Sequence, residues 1–340
     1  MNFSLKLKFG IILSLLLIAI LGDLMVGSTW ISFGDLVNIL VDGKVGSPEY
    51  FIVWELRLTK TIAAILIGFG LPVSGLLLQS LFRNPLAGPF VLGISSGASL
   101  GVAVFVMLGG AGIFASSILV SGSLSLFSIL GSLMVLLAVM SVSIKVNDTL
   151  SLLIVGLMFG SITAALVSVL QYFSSAELLQ RFIIWTFGSL GGFRWHELAI
   201  LGVLTFVSLI FSLALIKPLN ALLINEDYAL SLGVSVKRMR LMVILISSVL
   251  SGVITAFAGP IVFVGVAIPH LARNIFNTSD HRILLPASLL LGPILMLVCD
   301  MIAQLPGSSS VLPINSVTAI FGAPVVIWII LQNKRIHAKY

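Results

Sequence analysis

Apolar residues run along this chain in blocks too long for one face of a water-soluble fold. Ten segments are almost wholly apolar: Phe9–Val26, Thr61–Leu81, Phe90–Leu108, Ser121–Met140, Leu150–Val169, Leu198–Ile216, Leu241–Phe257, Ile261–Ala272, Ile283–Ala303 and Ile314–Leu331. A helix needs roughly 20 such residues to cross a hydrocarbon core, and most of the ten approach that length. Ser121–Met140 begins in a serine-rich stretch. Ile261–Ala272 is short and follows Gly259-Pro260, so it is expected as a half-helix or the tail of a span that starts earlier. The pattern predicts an all-α integral membrane protein of ten transmembrane helices, a single domain over residues 1–340.

Composition supports the same solvent. Of 340 residues 59% are hydrophobic and 9% are charged, against about 25% charged in a soluble domain. So few charges cannot cover a water-facing surface, and lipid must surround most of the chain. The 31 glycines suit helices that approach closely. A net charge of +6 would suggest nucleic acid in a soluble protein. Here it asks which side holds the cations, and no nucleic-acid partner is expected. An even number of crossings puts both termini on one side. With the amino terminus inside, thirteen Lys and Arg fall inside and five outside, the bias of the positive-inside rule. Trp30, Trp54, Trp185 and Trp195 then fall near the outer interface, where indoles prefer to sit. Both termini are therefore expected on the cytoplasmic side. Lys6 and Lys8 precede the first apolar run, which is long for a signal peptide and has no A-x-A site after it, so it is expected to be retained. The one cysteine, Cys299, can form no internal disulfide and is expected as a small buried apolar residue.

Catalytic patterns are missing. The sequence holds no G-x-x-x-x-G-K-[ST], H-E-x-x-H, paired Cys-x-x-Cys or G-x-S-x-G, and its four histidines are scattered. No catalytic and no metal-ligating residues are expected. Asp300 is taken as the only acid deep in a predicted span, and is expected as an interfacial carboxylate held by a backbone or hydroxyl donor. That weakens, without removing, the alternative of a secondary carrier working without an ATPase.

Four polar islands interrupt the apolar pattern. At the outer start of the second span, Arg57 and Lys60 stand three apart and would share a helix face. They suit either interfacial snorkelling or docking of an acidic external protein. Arg83–Pro89 reads as a tight inner turn with a cationic anchor. Residues 217–240 form the longest inner loop. There Asn225 can cap a short helix whose first turn carries Glu226 and Asp227, and Gly233 can end it. Tyr228, Leu230 and Leu232 would give that helix a small apolar face for a protein partner or for lipid. Ser174–Gly192 reads as an outer loop with room for a short helix. Three small-residue motifs, Gly97-x-x-x-Gly101, Gly156-x-x-x-Gly160 and Gly188-x-x-x-Gly192, signal close helix contact within or between subunits.

In order and spacing, these segments resemble the permeases of ABC importers for iron chelates and cobalamin, the FecCD and BtuC type. The resemblance runs from about Val26 to Gln332. It is carried by Arg57-Leu58-Thr59-Lys60, Ser74-Gly75 through Gln79, Arg83-Asn84-Pro85-Leu86-Ala87, Leu92-Gly93-Ile94-Ser95-Ser96-Gly97-Ala98, Ala229 through Val234, Ala258-Gly259-Pro260-Ile261-Val262-Phe263-Val264-Gly265 with Pro269-His270-Leu271-Ala272-Arg273, and Leu312-Pro313-Ile314 through Pro324. It implies a type II ABC importer permease fold. A second permease copy or paralogue, ATP-binding subunits and an external substrate-binding protein would be its partners. It implies that Arg57 and Lys60 meet acidic residues of the binding protein. It also implies that Asn225, Glu226, Asp227, Ala229, Leu232 and Gly233 belong to the helix that couples to the ATPase. The fifth and tenth spans would line the pathway, with Ser151, Ser161, Thr163 and Ser168 as its weakly polar wall. The cargo implied is a metal chelate: ferric siderophore, haem or cobalamin, with siderophore favoured. Thr59 and Lys60 depart from the family's usual proline and arginine, and the 304–311 loop lacks a basic residue that some members carry.

Overall fold

A computed structural model describes residues 3–27, 30–42, 47–108, 117–146, 149–304 and 311–337. All regular structure among them is helical. In chain order the helices are α1 (Phe3–Met25), α2 (Phe33–Asp42), α3 (Pro48–Phe51), α4 (Leu58–Phe82), α5 (Ile94–Met107), α6 (Ser117–Ser143), α7 (Thr149–Tyr172) and α8 (Ala176–Thr186). After them come α9 (Trp195–Ala214), α10 (Ile216–Ile224), α11 (Glu226–Ser231), α12 (Val236–Ala258), α13 (Val264–Phe276), α14 (His281–Ala303) and α15 (Ile314–His337). A π-helical segment, Ile52–Arg57, joins α3 to α4, and a 3₁₀ turn, Pro89–Leu92, leads into α5.

Seven helical stretches among the described residues are long and apolar enough to cross a bilayer: Leu5–Met25, Pro48–Phe82, Ser123–Ser143, Leu150–Tyr172, Trp195–Ala214, Val236–Ala258 and His281–Ala303. Two shorter apolar stretches, Ile94–Met107 and Ile314–Ile327, match the third and tenth predicted spans. Large apolar side chains such as Ile154, Met158, Ile162 and Val169 on α7, and Val203, Phe206 and Ile210 on α9, point outward. So wide an apolar surface belongs in lipid, not water. The chain is a multi-pass membrane protein.

α4 is the axis of the bundle. Ala63, Ala64, Ile67, Leu76, Leu77 and Leu78 are fully enclosed, and α1, α9, α12, α13 and α14 pack around them. The approach of α4 to α14 is set by glycine. A Cβ on Gly68 would lie 2.5 Å from backbone atoms of Pro293, and one on Gly292 would overlap the Gly68 carbonyl. In the same way Gly97 and Gly101 of the first small-residue motif seat α5 on Gly131 of α6. Gly156 and Gly160 of the second seat α7 on the backbone around Gly93. Both contacts lie within one chain. The third motif is a correction: Gly188 and Gly192 lie in the loop after α8 with φ of +72° and +84°. They serve a turn that non-glycine residues rarely adopt; Gly188 still lies close to the Ala258 carbonyl at the end of α12 and to Ile314 of α15, while nothing lies within 4 Å of a Cβ on Gly192.

Contacts define two ends of the bundle. At the first, Thr61 of α4 meets Asp23 of α1, and Trp195 Nε1 of α9 donates to Glu55 Oε1 at 3.3 Å. At the opposite end Lys8 Nζ donates to the Ile275 carbonyl (2.7 Å), and Phe9 packs on Phe276. The short α5 and α13 share a cause. Segments 83–93 and 259–263 enter the bundle as irregular chain, so their helices begin inside it. Gly265 at the start of α13 lies against Gly75 in the middle of α4. Such backbone survives at membrane depth only when protein covers it and satisfies its polar groups. Here Leu86 N donates to Asn84 Oδ1, Ala87 N to the Asn84 carbonyl, and His270 Nε2 lies 2.7 Å from the Pro85 carbonyl. Ile261–Ala272 is thus a 13-residue half-helix shifted to Val264–Phe276.

Candidate functional site

At the first end a charged cluster ties three helices together. Lys60 Nζ pairs with Asp300 Oδ2 at 2.9 Å, and their side chains are 14% and 4% exposed. Gln304 Nε2 donates to the same Asp300 oxygen at 2.8 Å. Thr61 Oγ1 donates to Asp23 Oδ2 at 2.6 Å, and Asp23 is fully buried. Arg57 is buried too: its Nη1 donates to the carbonyls of Leu24 (2.8 Å) and Met25 (2.9 Å) at the end of α1. It therefore binds carbonyls at a helix C-terminus, where cations are favoured.

Three expectations change. Arg57 and Lys60 do not stand together as surface cations. Arg57 closes the π-helical segment, and its guanidinium reaches across to the end of α1 and is buried there. Asp300 is held by the Lys60 ammonium and the Gln304 amide, and the Asp23 carboxyl lies against it. Asp23 is a second buried acid within an apolar run, and its place in Phe9–Val26 was the signal for it. Lys60 and Asp300 line a cleft of about 470 Å³ with Gly188, Ser189, Gln304 and Pro313. Lys44, Lys339 and residues 305–310 of the loop without a basic residue lie outside the described residues.

At the opposite end α11 forms as its residues dictate. Asn225 has extended backbone, and its Oδ1 accepts from Tyr228 N at 2.5 Å. Glu226 and Asp227 occupy the first turn, at the positive end of the helix. Gly233 follows with φ +79°, and Val234 N bonds back to the Ala229 carbonyl at 3.0 Å, a glycine-terminated helix end. Ala229 is fully buried against the bundle, while Tyr228, Leu230 and Leu232 are 41%, 53% and 58% exposed. The three apolar side chains are thus exposed, with Leu230 roughly 200° round the helix from Tyr228 and Leu232 just past its last residue.

Beside α11, the chain is anchored by polar contacts to the ends of α4 and α14. Arg83 adopts the left-handed conformation that ends α4, and its Nη2 donates to the Leu222 carbonyl of α10 at 2.9 Å. A turn with a cationic anchor accounts for only part of this segment: Arg83 holds α10. Arg273 Nη1 donates to Gln79 Oε1 at 2.6 Å. Asp280 caps α14 through Arg282 N at 2.9 Å and accepts from Asn220 Nδ2 at 2.6 Å. Partial burial acts to raise its carboxyl. The two hydrogen bonds and the nearby Arg282 and His281 charges outweigh that and hold it below its ordinary value.

The four polar residues chosen on α7 do not share a face. Ser151, Ser161 and Ser168 are exposed, and Ser161 and Ser168 each donate to a carbonyl one turn back in their own helix. Thr163 is 4% exposed and bonds the Phe159 and Gly160 carbonyls. Two positions from Ser161 is roughly 200° round a helix, so Thr163 faces inward, and only the serines reach the outer surface of α7. Among the described residues no group of His, Cys, Asp and Glu could hold a metal ion.

The chain matches the FecCD transport family over residues 15–332. It is 36% identical over 330 residues to the vitamin B12 import system permease protein BtuC of Klebsiella pneumoniae subsp. pneumoniae, covering 96% of this chain and 93% of that protein. BtuC of Salmonella typhi is 36% identical over 321 residues, covering 94% of each chain. A solved structure of a metal-chelate type ABC transporter in an inward-facing conformation superposes with a TM-score of 0.83 at 30% identity, over 96% of this chain and 99% of that one. PsaBC from Streptococcus pneumoniae shares the fold alone, with a TM-score of 0.51 at 17% identity over 80% and 89% of the two chains.

Proposed function

The chain belongs to the FecCD transport family, and from that premise we propose that it is the membrane-spanning subunit of an ATP-driven importer of a metal chelate. Relatives named for vitamin B12 import and a neighbour described as a metal-chelate type ABC transporter support that cargo class. Cobalamin and ferric siderophore are its two leading members. In this reading the chain crosses a bacterial inner membrane ten times with both termini in the cytoplasm, α5 and α13 completing their crossings with the irregular segments before them. The thirteen-to-five bias in Lys and Arg supports that orientation. ATP hydrolysis, with its Mg, belongs to separate partner subunits.

One observation carries the reading: α11 stands at one end of the bundle with a capped amino terminus and an exposed Tyr228, Leu230 and Leu232. Apolar side chains on so short a helix, with Ala229 already buried beneath, fit a groove of a partner protein. We assign α11 to the ATPase and the Lys60 end to the external binding protein. Lys60 and the cleft beside it form the docking point, and Arg57 holds the α1 end in place behind it. The exposed serines of α7 and the surface of α15 face a second permease copy or paralogue across the pathway. Closure of the ATPases on ATP pulls both copies of α11. The pathway then changes sides, because ATP binds the two states with different affinity. The test is co-purification. Leu230→Asp with Leu232→Asp should abolish recovery of the ATPase and stop uptake while the chain still inserts. ATPase recovery and uptake at the unsubstituted level would overturn the assignment.

A further inference from the structure

Between α11 and the membrane helices lies one amide that touches both. Asn220 is on α10, whose last residue, Ile224, is followed directly by the Asn225 cap of α11. Its Oδ1 accepts from the backbone N of His281 at 2.9 Å and lies 2.7 Å from His281 Nδ1, while its Nδ2 donates to Asp280 Oδ1 at 2.6 Å. The orientation is unambiguous, since a backbone N–H can only donate and must face oxygen. Nδ1 therefore carries a proton. On the far side of the ring Nε2 lies 2.6 Å from Ser80 Oγ, which also lies 2.8 Å from the Leu76 carbonyl of its own helix. His281 and Ser80 are 1% and 6% exposed. One unbroken chain of hydrogen bonds thus runs from α10 through the first turn of α14 into α4.

We propose that Asn220 is a positioning residue that transmits the displacement of α11 to α14 and α4, with His281 and Ser80 as its relay. The inference rests on the assignment of α11 to the ATPase. Apolar packing alone would let α10 slide over the start of α14. The amide brackets residues 280 and 281 from both sides and fixes direction as well as distance. Arg83, bound to the Leu222 carbonyl, holds the same helix against the end of α4, so α10 has no separate path of movement. A buried bond of this kind keeps its full geometric specificity because each partner left alone would be an unsatisfied polar group. The glycine-set contact of Gly68 with Gly292 and Pro293 then carries the shift along both helices to the Lys60–Asp300 end.

The test follows α14 directly and needs no knowledge of the cargo. Ile302 is 39% exposed near the far end of α14, whereas the native Cys299 is fully buried. In the complete complex, reconstituted in lipid with its ATPase, maleimide labelling of Ile302→Cys is compared with and without ATP and vanadate. The expected rate change is about fivefold or more, the scale of an allosteric coupling. Adding Asn220→Ala, or at the other end of the relay Ser80→Ala, should abolish that change while the ATPase still co-purifies and hydrolyses ATP. Ser80→Thr, which keeps the hydroxyl, should restore it. The double variant should be no worse than either single one. An undiminished change in both alanine variants overturns the proposal, as does a label that never responds in the Asn220 and Ser80 background. Should Asn220→Ala fail to assemble, Ser80→Ala alone decides. Failure of the ATPase to co-purify with the unsubstituted chain overturns instead the reading beneath it.

Discussion

Lys60 is the residue at which structural and functional demands meet. Its ammonium pairs with a carboxylate only 4% exposed, and removing one partner of such a pair leaves an uncompensated buried charge. That costs about 3–5 kcal/mol, while removing both can be nearly neutral. Lys60→Met should therefore lower the thermal unfolding midpoint in detergent clearly, and Lys60→Met with Asp300→Leu should recover most of the loss. Asp280 makes a second residue-scale prediction. Its folded value lies below the ordinary 3.8, so its contribution is present at neutral pH and is lost as pH falls below that value. The stability difference between the native chain and Asp280→Asn should be largest near pH 7 and close below about pH 4. Arg57 could not have been assigned to the interior from spacing. Its neighbours suggest a regular helix, and the π-helical segment that turns it inward depends on carbonyls of α1 some thirty positions earlier. Asn220 was equally hidden, since an amide in a loop has no period to mark it.

Among elements, legibility followed length. The long apolar runs appear where the sequence puts them, because any helix exposed to lipid must keep an apolar surface over its whole crossing. Half-crossings are harder. Phe90–Leu108 begins with a 3₁₀ turn after Gly88-Pro89, and Ile261–Ala272 is shifted by the left-handed Gly259, because the irregular backbone is stabilised by side chains from elsewhere. α11 was legible because its capping amide, acidic first turn and terminal glycine are all local. Glycine spacing gave helix-on-helix contacts at Gly97 and Gly156, but at Gly188 the close contact comes from a turn with positive φ, which the spacing cannot show. The structure makes a contrast that can be measured. A side chain at Gly68 has no space, so Gly68→Val should prevent a stable α4–α14 pair and show as loss of folded protein. At Gly10 nothing lies within 4 Å. There Gly10→Ala should be neutral or stabilise by about 0.4–1 kcal/mol through the unfolded chain.

On the scale of the whole molecule, two distinct ends are joined by one rigid axis. The end with α11 exposes Tyr228, Leu230 and Leu232 beside the charged Glu226 and Asp227, and the end with Lys60 holds a charged cleft. Between them α4 and α14 meet with backbone in contact, so a displacement at one end reaches the other without being absorbed by side-chain repacking. That arrangement suits a subunit driven by a separate motor and loaded by a separate carrier of cargo. ATP-driven import can be measured with proteoliposomes holding the chain with its ATPase and binding protein, given radiolabelled cobalamin or a labelled ferric siderophore. One of these chelates should accumulate with hydrolysable ATP and not with a non-hydrolysable analogue. Accumulation driven by a proton or sodium gradient, with the ATPase left out, would contradict it.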